Sequence, residues 1–315
     1  MRKRGLETVF RLAQMHDDVL YIGSDVGQGT LAAFQETYPE RFFVEGISEA
    51  YVIGMAAGLA MNGKVPYVNT IATFLTRRCY DQIAVDLCLS NTNVRLYANG
   101  GGLVYAPLGP THEAIEDIAL MRALPNMTVI VPSDADEMER AMLASYDWNG
   151  PIYIRVARGG DAIVSRPEDP FAIGKAIVHH PPGDVLYITT GVTRQVALEA
   201  IALLAQSGIE AGLVHLHTIK PLDLTTLKPL LRATPFVVTL EEHSVIGGLG
   251  SAIAEVIAEG ARHEHSRFMR LGIPDVFPDD YGRQQDLFRY FGLDAASVAA
   301  KTAEFVTLRD QDADN

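Results

Sequence analysis

The chain is poor in cysteine: Cys79 and Cys88 are the only two thiols in 315 residues, and they form no C-x-x-C pair. That excludes a disulfide framework and fits a reduced, cytoplasmic setting. Both thiols fall on one expected helix and read as buried structural residues. No apolar run approaches the ~20 residues that span a bilayer. Positive charge is also short, with 26 Lys and Arg against 39 Asp and Glu and a net charge of −13. Phosphate backbones need a basic face, so nucleic acid is not an expected partner. The opening MRKRGLETVFRLAQMHDD is basic, but an amphipathic stretch follows it. It therefore reads as a first helix rather than a signal peptide. No histidine lies near His112 at metal-ligand spacing, so no metal site is expected on this chain. Repeats of solenoid period are absent, and the one biased segment is the charged tail RDQDADN.

What is present is a full complement of core residues, 48% hydrophobic and 21% charged. At ~100–200 residues per domain, the length suggests two domains. Short apolar runs alternate with amphipathic segments. Strands are expected at 19–23, 65–70, 93–100, in MTVIV and at 151–158. Helices are expected over 48–62, about 74–90, from Thr111 through THEAIEDIALMRAL, and after a cap at Ser133 or Asp134. This alternation implies an α/β fold of two three-layer domains, each with a mainly parallel sheet. RGGDAIVSRPEDPF (158–171) breaks the rhythm and marks the boundary, giving domains 1–165 and 171–315. In the second, 185–191, AGLVHLHTI (211–219) and FVVTLEEH (236–243) read as strands. A helix is expected at 193–207 and another opens at GGLGSAIAEVIAEG. A short strand near FMRLGI and terminal helices complete it.

Several residues carry chemistry. GGLGS (247–251) lies between strand and helix but lacks G-x-G-x-x-G spacing, so a tight turn is the preferred reading over a dinucleotide loop. The EEH just before it (241–243) fits either a solvated loop or an interface. His112 sits at a helix start after a glycine-rich loop, where it could serve a ligand oxygen or cap local backbone. Arg77 and Arg78 are neighbours on a helix, so one can reach inward while the other is solvated. Arg158 ends a strand, where ligands of open α/β sheets bind. Glu49 stands at the head of the apolar stretch EGISEAYVIGMAAGLA (45–60). A helix dipole alone stabilises such an acid by about 0.3–1 kcal/mol.

Four blocks together resemble the pyrimidine-binding domain of transketolases and the related deoxyxylulose-phosphate synthases. They are RFFVEGISEAYVIGMAAGLAMNGKVPYV, ATFLTRRCYDQI, GPTHEAIEDIALMRALPNMTVIVPSDADE and GPIYIRVARG. HTIKPLD and VVTLEEHSVIGGLGSAIAEV are similar to the transketolase C-terminal domain. Complete transketolases also carry an N-terminal domain with a G-D-G signature for diphosphate and Mg2+. Here the matching context is missing, since GDV at 183–185 lies in the wrong domain. The resemblance thus implies the C-terminal subunit of a split transketolase. A partner subunit would hold the diphosphate and Mg2+, in an assembly of two copies of each.

The resemblance implies thiamine diphosphate as cofactor and transfer of a two-carbon ketol unit from a ketose to an aldose. It makes Glu49 the glutamate on the aminopyrimidine ring, where a carboxyl bonded to a ring nitrogen favours the imino tautomer. Phe74 matches the aromatic packed on that ring, Ile71 a second wall position, and Arg77 a position that is arginine in the synthases. His112 matches the substrate-facing histidine and Arg158 the arginine for a terminal phosphate or sulfonate. Two positions depart from the family. Gly100 stands where many transketolases have a phosphate-holding histidine, and Leu108 where they have an aspartate that reads a substrate hydroxyl. Altered substrate selectivity is expected, with Asn99 and Tyr105 reshaping the pocket. The β subunit of a 2-oxo acid dehydrogenase and a non-catalytic regulatory subunit are the alternatives.

Overall fold

The computed structural model describes residues 1–24, 28–261 and 266–307. The tail 309–315 singled out above lies outside them. Twelve strands are present among the described residues: β1 (Val19–Gly23), β2 (Phe42–Val44), β3 (Val65–Ile71), β4 (Arg95–Asn99), β5 (Thr128–Ile130), β6 (Ile152–Val156), β7 (Ile177–His180), β8 (Val185–Thr189), β9 (Ala211–His215), β10 (Thr218–Lys220), β11 (Phe236–Ser244) and β12 (Arg267–Ile273). They form a seven-stranded sheet, order β10-β5-β6-β4-β3-β1-β2, and a five-stranded sheet, order β12-β11-β8-β9-β7. Both are α/β layers with mostly parallel pairing.

Both faces of the first sheet are covered, so its central strands are buried along their length. Tyr21, Tyr67, Tyr97 and Ile154 face the helices Arg2–Met15 and Ala135–Tyr146. Ile22, Val68, Leu96 and Tyr153 share the opposite core with the helices Glu49–Met61, Ala72–Arg78 and Asp117–Ala123. That core continues into the second sheet through Leu186, Ile188, Val214 and Val237. The expected cap is Asp134, whose carboxylate accepts from the amides of Asp136 and Glu137.

Three expectations change. AGLVHLHTI is not one strand. It breaks after His215, and β10 crosses to pair antiparallel with β5 of the first sheet. The helix expected over 74–90 is interrupted at Cys79 and continues as a π-helical segment, Ile83–Leu89. The helix expected from Thr111 begins only at Asp117. Its first residues are held as loop because Ala114 exchanges backbone hydrogen bonds of 2.9 and 3.1 Å with Gly102.

Buried charge ties the two halves together. Arg194, fully buried, donates to Asp169 at 2.5 Å and to Glu137 at 3.5 Å, while His215 Nε2 sits 3.0 Å from Glu137. Such groups are tolerated in a core only when paired.

Candidate active site

Glu49, Phe74, Arg77, His112 and Arg158 all follow the carboxyl ends of strands of the first sheet: β2, β3, β4 and β6. After β2 the chain turns through Gly46 at φ +67°, and the helix Glu49–Met61 begins. Glu49 is 3% exposed despite its charge. Its Oε2 accepts a hydrogen bond from Arg78 Nη1 at 2.7 Å. The same guanidinium lies over the Phe74 ring, 4.6 Å from its centroid. The His112 and Phe74 rings form a T-shaped pair at a centroid distance of 5.1 Å and an angle of 69°. Phe74 thus sits between a cation held by Glu49 and an imidazole. Glu49 Oε1 has no hydrogen-bond partner among the described residues.

The adjacent arginines diverge. Arg77 turns to the loop after β4, where it pairs with Glu116 and donates to the Glu113 carbonyl at 3.0 Å. Arg77, expected from the resemblance at a cofactor-binding position, contacts the His112 loop, and Arg78 is the residue that reaches Glu49. The sequence alone did not separate them. The outcome depends on where the helix ends, and that is set by the break at Cys79 (φ −110°, ψ 12°).

The loop 100–116 carries His112. Thr73 Oγ1 donates to the His112 carbonyl at 2.9 Å, and the Thr111 hydroxyl meets His112 Nδ1 at 2.9 Å. Thr111 therefore touches the imidazole and caps no helix. Ile71, half-buried, closes β3 and precedes the helix that bears Phe74. Glu113 is fully buried and neither carboxyl oxygen has a partner among the described residues; burial pushes it up to about 7.

The EEH segment proves to be an interface. Glu242 Oε1 accepts from the Leu103 amide at 2.9 Å and from Gln284 at 2.6 Å. His243 Nε2 accepts from the Ala119 amide at 3.3 Å, and the Ser244 amide donates to the Ile115 carbonyl at 2.8 Å. Below them Arg155 pairs with Asp117 at 2.8 Å and donates to the Glu242 carbonyl at 2.9 Å. The second half of the chain thus sets the shape of the loop that presents His112. Glu241 fills the helix start after GGLG, accepting from Leu249 and Gly250 at 2.6 and 2.8 Å. A Cβ on Gly248 would fall 2.0 Å from Glu241 Oε2. The protein's own carboxylate occupies the position a dinucleotide phosphate would need.

Arg158 lies in a pocket of about 460 Å³ with Gly100, Tyr105 and Leu108. Residues 1–160 match the transketolase pyrimidine binding domain and residues 174–298 match the transketolase C-terminal domain. The chain belongs to the transketolase family. It is 36% identical over 307 residues to a putative transketolase C-terminal section of Methanocaldococcus jannaschii, covering 96% of this chain and 95% of that one. It is 33% identical to one of the subunits of an apulose-4-phosphate transketolase of Phocaeicola vulgatus, covering 97% of each. Among solved structures, a split gene transketolase, described as an inactive beta4 tetramer, superposes with a TM-score of 0.87 at 37% identity, covering 98% of each chain. This transketolase-family chain thus corresponds along its length to the C-terminal section of the enzyme, as found in split members.

Proposed function

We propose that this chain is the C-terminal subunit of a thiamine-diphosphate-dependent ketol transferase, active with a partner that holds the diphosphate and Mg2+. The observation that carries the reading is Glu49. It is a buried carboxylate with one oxygen fixed by Arg78 and the other free for a ring nitrogen, next to a half-buried aromatic face, Phe74. An aminopyrimidine ring fits that donor set. Bound there, the cofactor supplies an electron sink for cleavage of the bond beside a ketose carbonyl. Glu49 would orient the ring and hold a proton at its nitrogen. His112, beside Phe74, would serve the substrate oxygens. Ile71 would add a wall, Arg77 would hold the His112 loop through Glu116, and Arg158 would hold an anionic sugar end.

The relatives support the plan. The Phocaeicola protein is named as one subunit of a transketolase for a sugar phosphate, and the split gene tetramer is described as inactive. Two of each chain in a cytoplasmic assembly, with domains 1–165 and 171–315, is the proposed form. No helix among the described residues is long and apolar enough to cross a membrane. The block GPTHEAIEDIALMRALPNMTVIVPSD and the full-length likeness to proteins named as transketolase sections and subunits disfavour a 2-oxo acid dehydrogenase β subunit, which has the same two-domain plan. The test is calorimetry of thiamine diphosphate with Mg2+ on this chain alone and on the reconstituted complex, with turnover of Glu49→Gln. Tight binding only in the complex and lost turnover support the proposal. Near-normal turnover by Glu49→Gln overturns it.

A further inference from the structure

The second sheet changes direction at β8. From β8 the chain runs through the helix Thr193–Gln206 to β9 on one side; it later returns to β11 on the other side and passes through the helix Leu249–Ala258 to β12. The first of these helices packs on one face of the sheet and the second on the opposite face. Connections therefore diverge at the carboxyl ends of β8 and β11, which is where open α/β sheets bind ligands. The loop that presents His112 fills part of this crevice, with Leu103, Ala106 and Ile115 packed into the core of the second sheet. The rest is open. A cavity of about 490 Å³ starts just past β8, at Val192, and reaches the helices Gln284–Tyr290 and Ala295–Thr307. That is the size of a small-molecule site, and the ketol transfer proposed above makes no use of it.

The lining is amphipathic. Val196 and Phe288 give apolar walls, and Asp161, Glu199 and Asp294 bring carboxylates from three separate segments. Their hydrogen bonds are local, from the Gly159 amide at 3.2 Å, from Gln195 at 2.9 Å and from the Ser297 amide at 3.2 Å. None of the three forms an ion pair among the described residues. The Met1 ammonium feels Asp161, and the lining Arg289 is already engaged by Asp286 at 2.5 Å. Glu242, 3% exposed, adds a buried acceptor: Oε1 takes the Gln284 and Leu103 bonds, and the other oxygen has no hydrogen-bond partner among the described residues. Glu242 lines a smaller cavity that shares Val192 with the larger one, and Gln284 lines the larger one itself. Among the described residues no three acidic, histidine or cysteine side chains converge closely enough to hold a metal ion. The carboxylates are therefore spaced for an extended cation rather than a bare one.

We infer that this cavity is a regulatory site for a linear diamine or polyamine, its ammonium groups held by Asp161, Glu199 and Asp294 and its methylenes laid on Val196 and Phe288. Occupancy reaches the catalytic loop by one route. Gln284 in the cavity wall donates to Glu242 at 2.6 Å, and Glu242 holds the Leu103 amide at 2.9 Å. A ligand that draws Gln284 away changes how the His112 loop is held, and sugar binding then changes amine binding by the same factor. The binding site stands without the ketol-transfer reading; only this coupling rests on it.

The test uses the reconstituted complex and two readouts. Spermidine is titrated calorimetrically into wild type, Glu199→Gln, Val196→Trp, which fills the cavity, and Glu259→Gln, an exposed acid ending the helix on the other face of the sheet. Glu199→Gln and Val196→Trp should each weaken binding about tenfold, with Glu259→Gln at wild-type affinity. No binding to wild type, wild-type affinity in Glu199→Gln, or equal losses in all three variants, which mark diffuse attraction to an acidic surface, overturns the site. In turnover, saturating spermidine should change the sugar KM about fivefold in wild type and leave it unchanged in Gln284→Ala. An unchanged KM in wild type overturns the coupling. Absence of ketol transfer from every ketose in the wild-type complex would instead sink the functional reading, while the spermidine titration still decides the amine site.

Discussion

Arg78 Nη1 donates to Glu49 Oε2 at 2.7 Å while its guanidinium carbon lies 4.6 Å from the centroid of the Phe74 ring. One side chain thus fixes a buried carboxylate and steadies the aromatic face beside it. A planar, delocalised cation can do both, whereas an ammonium makes only a point contact.

Arg78→Ala should therefore weaken thiamine diphosphate binding to the complex and lower turnover by at least about tenfold. The Arg78 side chain is 46% exposed, so water replaces part of the lost pairing and the stability cost stays at about 1–2 kcal/mol. Arg78→Lys should recover stability more than cofactor affinity. Calorimetry and steady-state rates on both variants check this, and full cofactor affinity in Arg78→Ala would contradict it.

Arg77→Ala should behave differently. It frees Glu116 and the Glu113 carbonyl and loosens the loop that carries His112. The expected signature is a raised KM for sugars with cofactor affinity close to wild type. A cofactor defect equal to that of Arg78→Ala would return Arg77 to a direct cofactor role.

Asp117 is fully buried and accepts from Arg155 at 2.8 Å and from the Tyr153 hydroxyl at 2.6 Å. Removing it leaves the buried guanidinium unpaired, so Asp117→Ala should cost about 3–5 kcal/mol. Urea unfolding measures this. A loss below about 1 kcal/mol would mean that water or Glu242 compensates.

Burial pushes Glu113, Glu241 and Glu242 from the ordinary 4.5 up to about 7. Between those values the folded chain holds more protons than the unfolded one. The fold is therefore favoured most, as far as these groups go, at low pH, and their contribution falls as pH rises through that window. Glu113→Gln should flatten the decline. Melting temperatures at half-unit steps from about pH 5 to 8 give the slopes, and identical slopes for wild type and variant refute the assignment.

Gly248→Ala should destabilise by about 1–3 kcal/mol, because the new methyl meets both Glu241 Oε2 and His243 Nδ1, at 2.0 and 2.5 Å. The same packing predicts no NAD(P) binding at GGLGS, which a calorimetric titration with either dinucleotide checks.

The alternation of apolar strands with amphipathic helices determined the α/β class, because buried parallel strands need apolar residues on both faces. Strand β1 and the helix Glu49–Met61 were legible to within a residue or two. Motif order was legible too, and with it the family. Tertiary structure decided what lies between elements. AGLVHLHTI reads as one unbroken strand, yet HLHT carries the chain to another sheet, because β5 offers an open edge there. Thr111–Glu116 has a helical pattern, but Gly102 takes the backbone bonds of Ala114. Whether Arg77 or Arg78 meets Glu49, and that Arg2 shares a pocket with Arg158, depend on angles and approaches between distant segments. Local pattern encodes which residues are buried. Which partner a buried or converging charge finds is fixed only when the whole chain has folded around it.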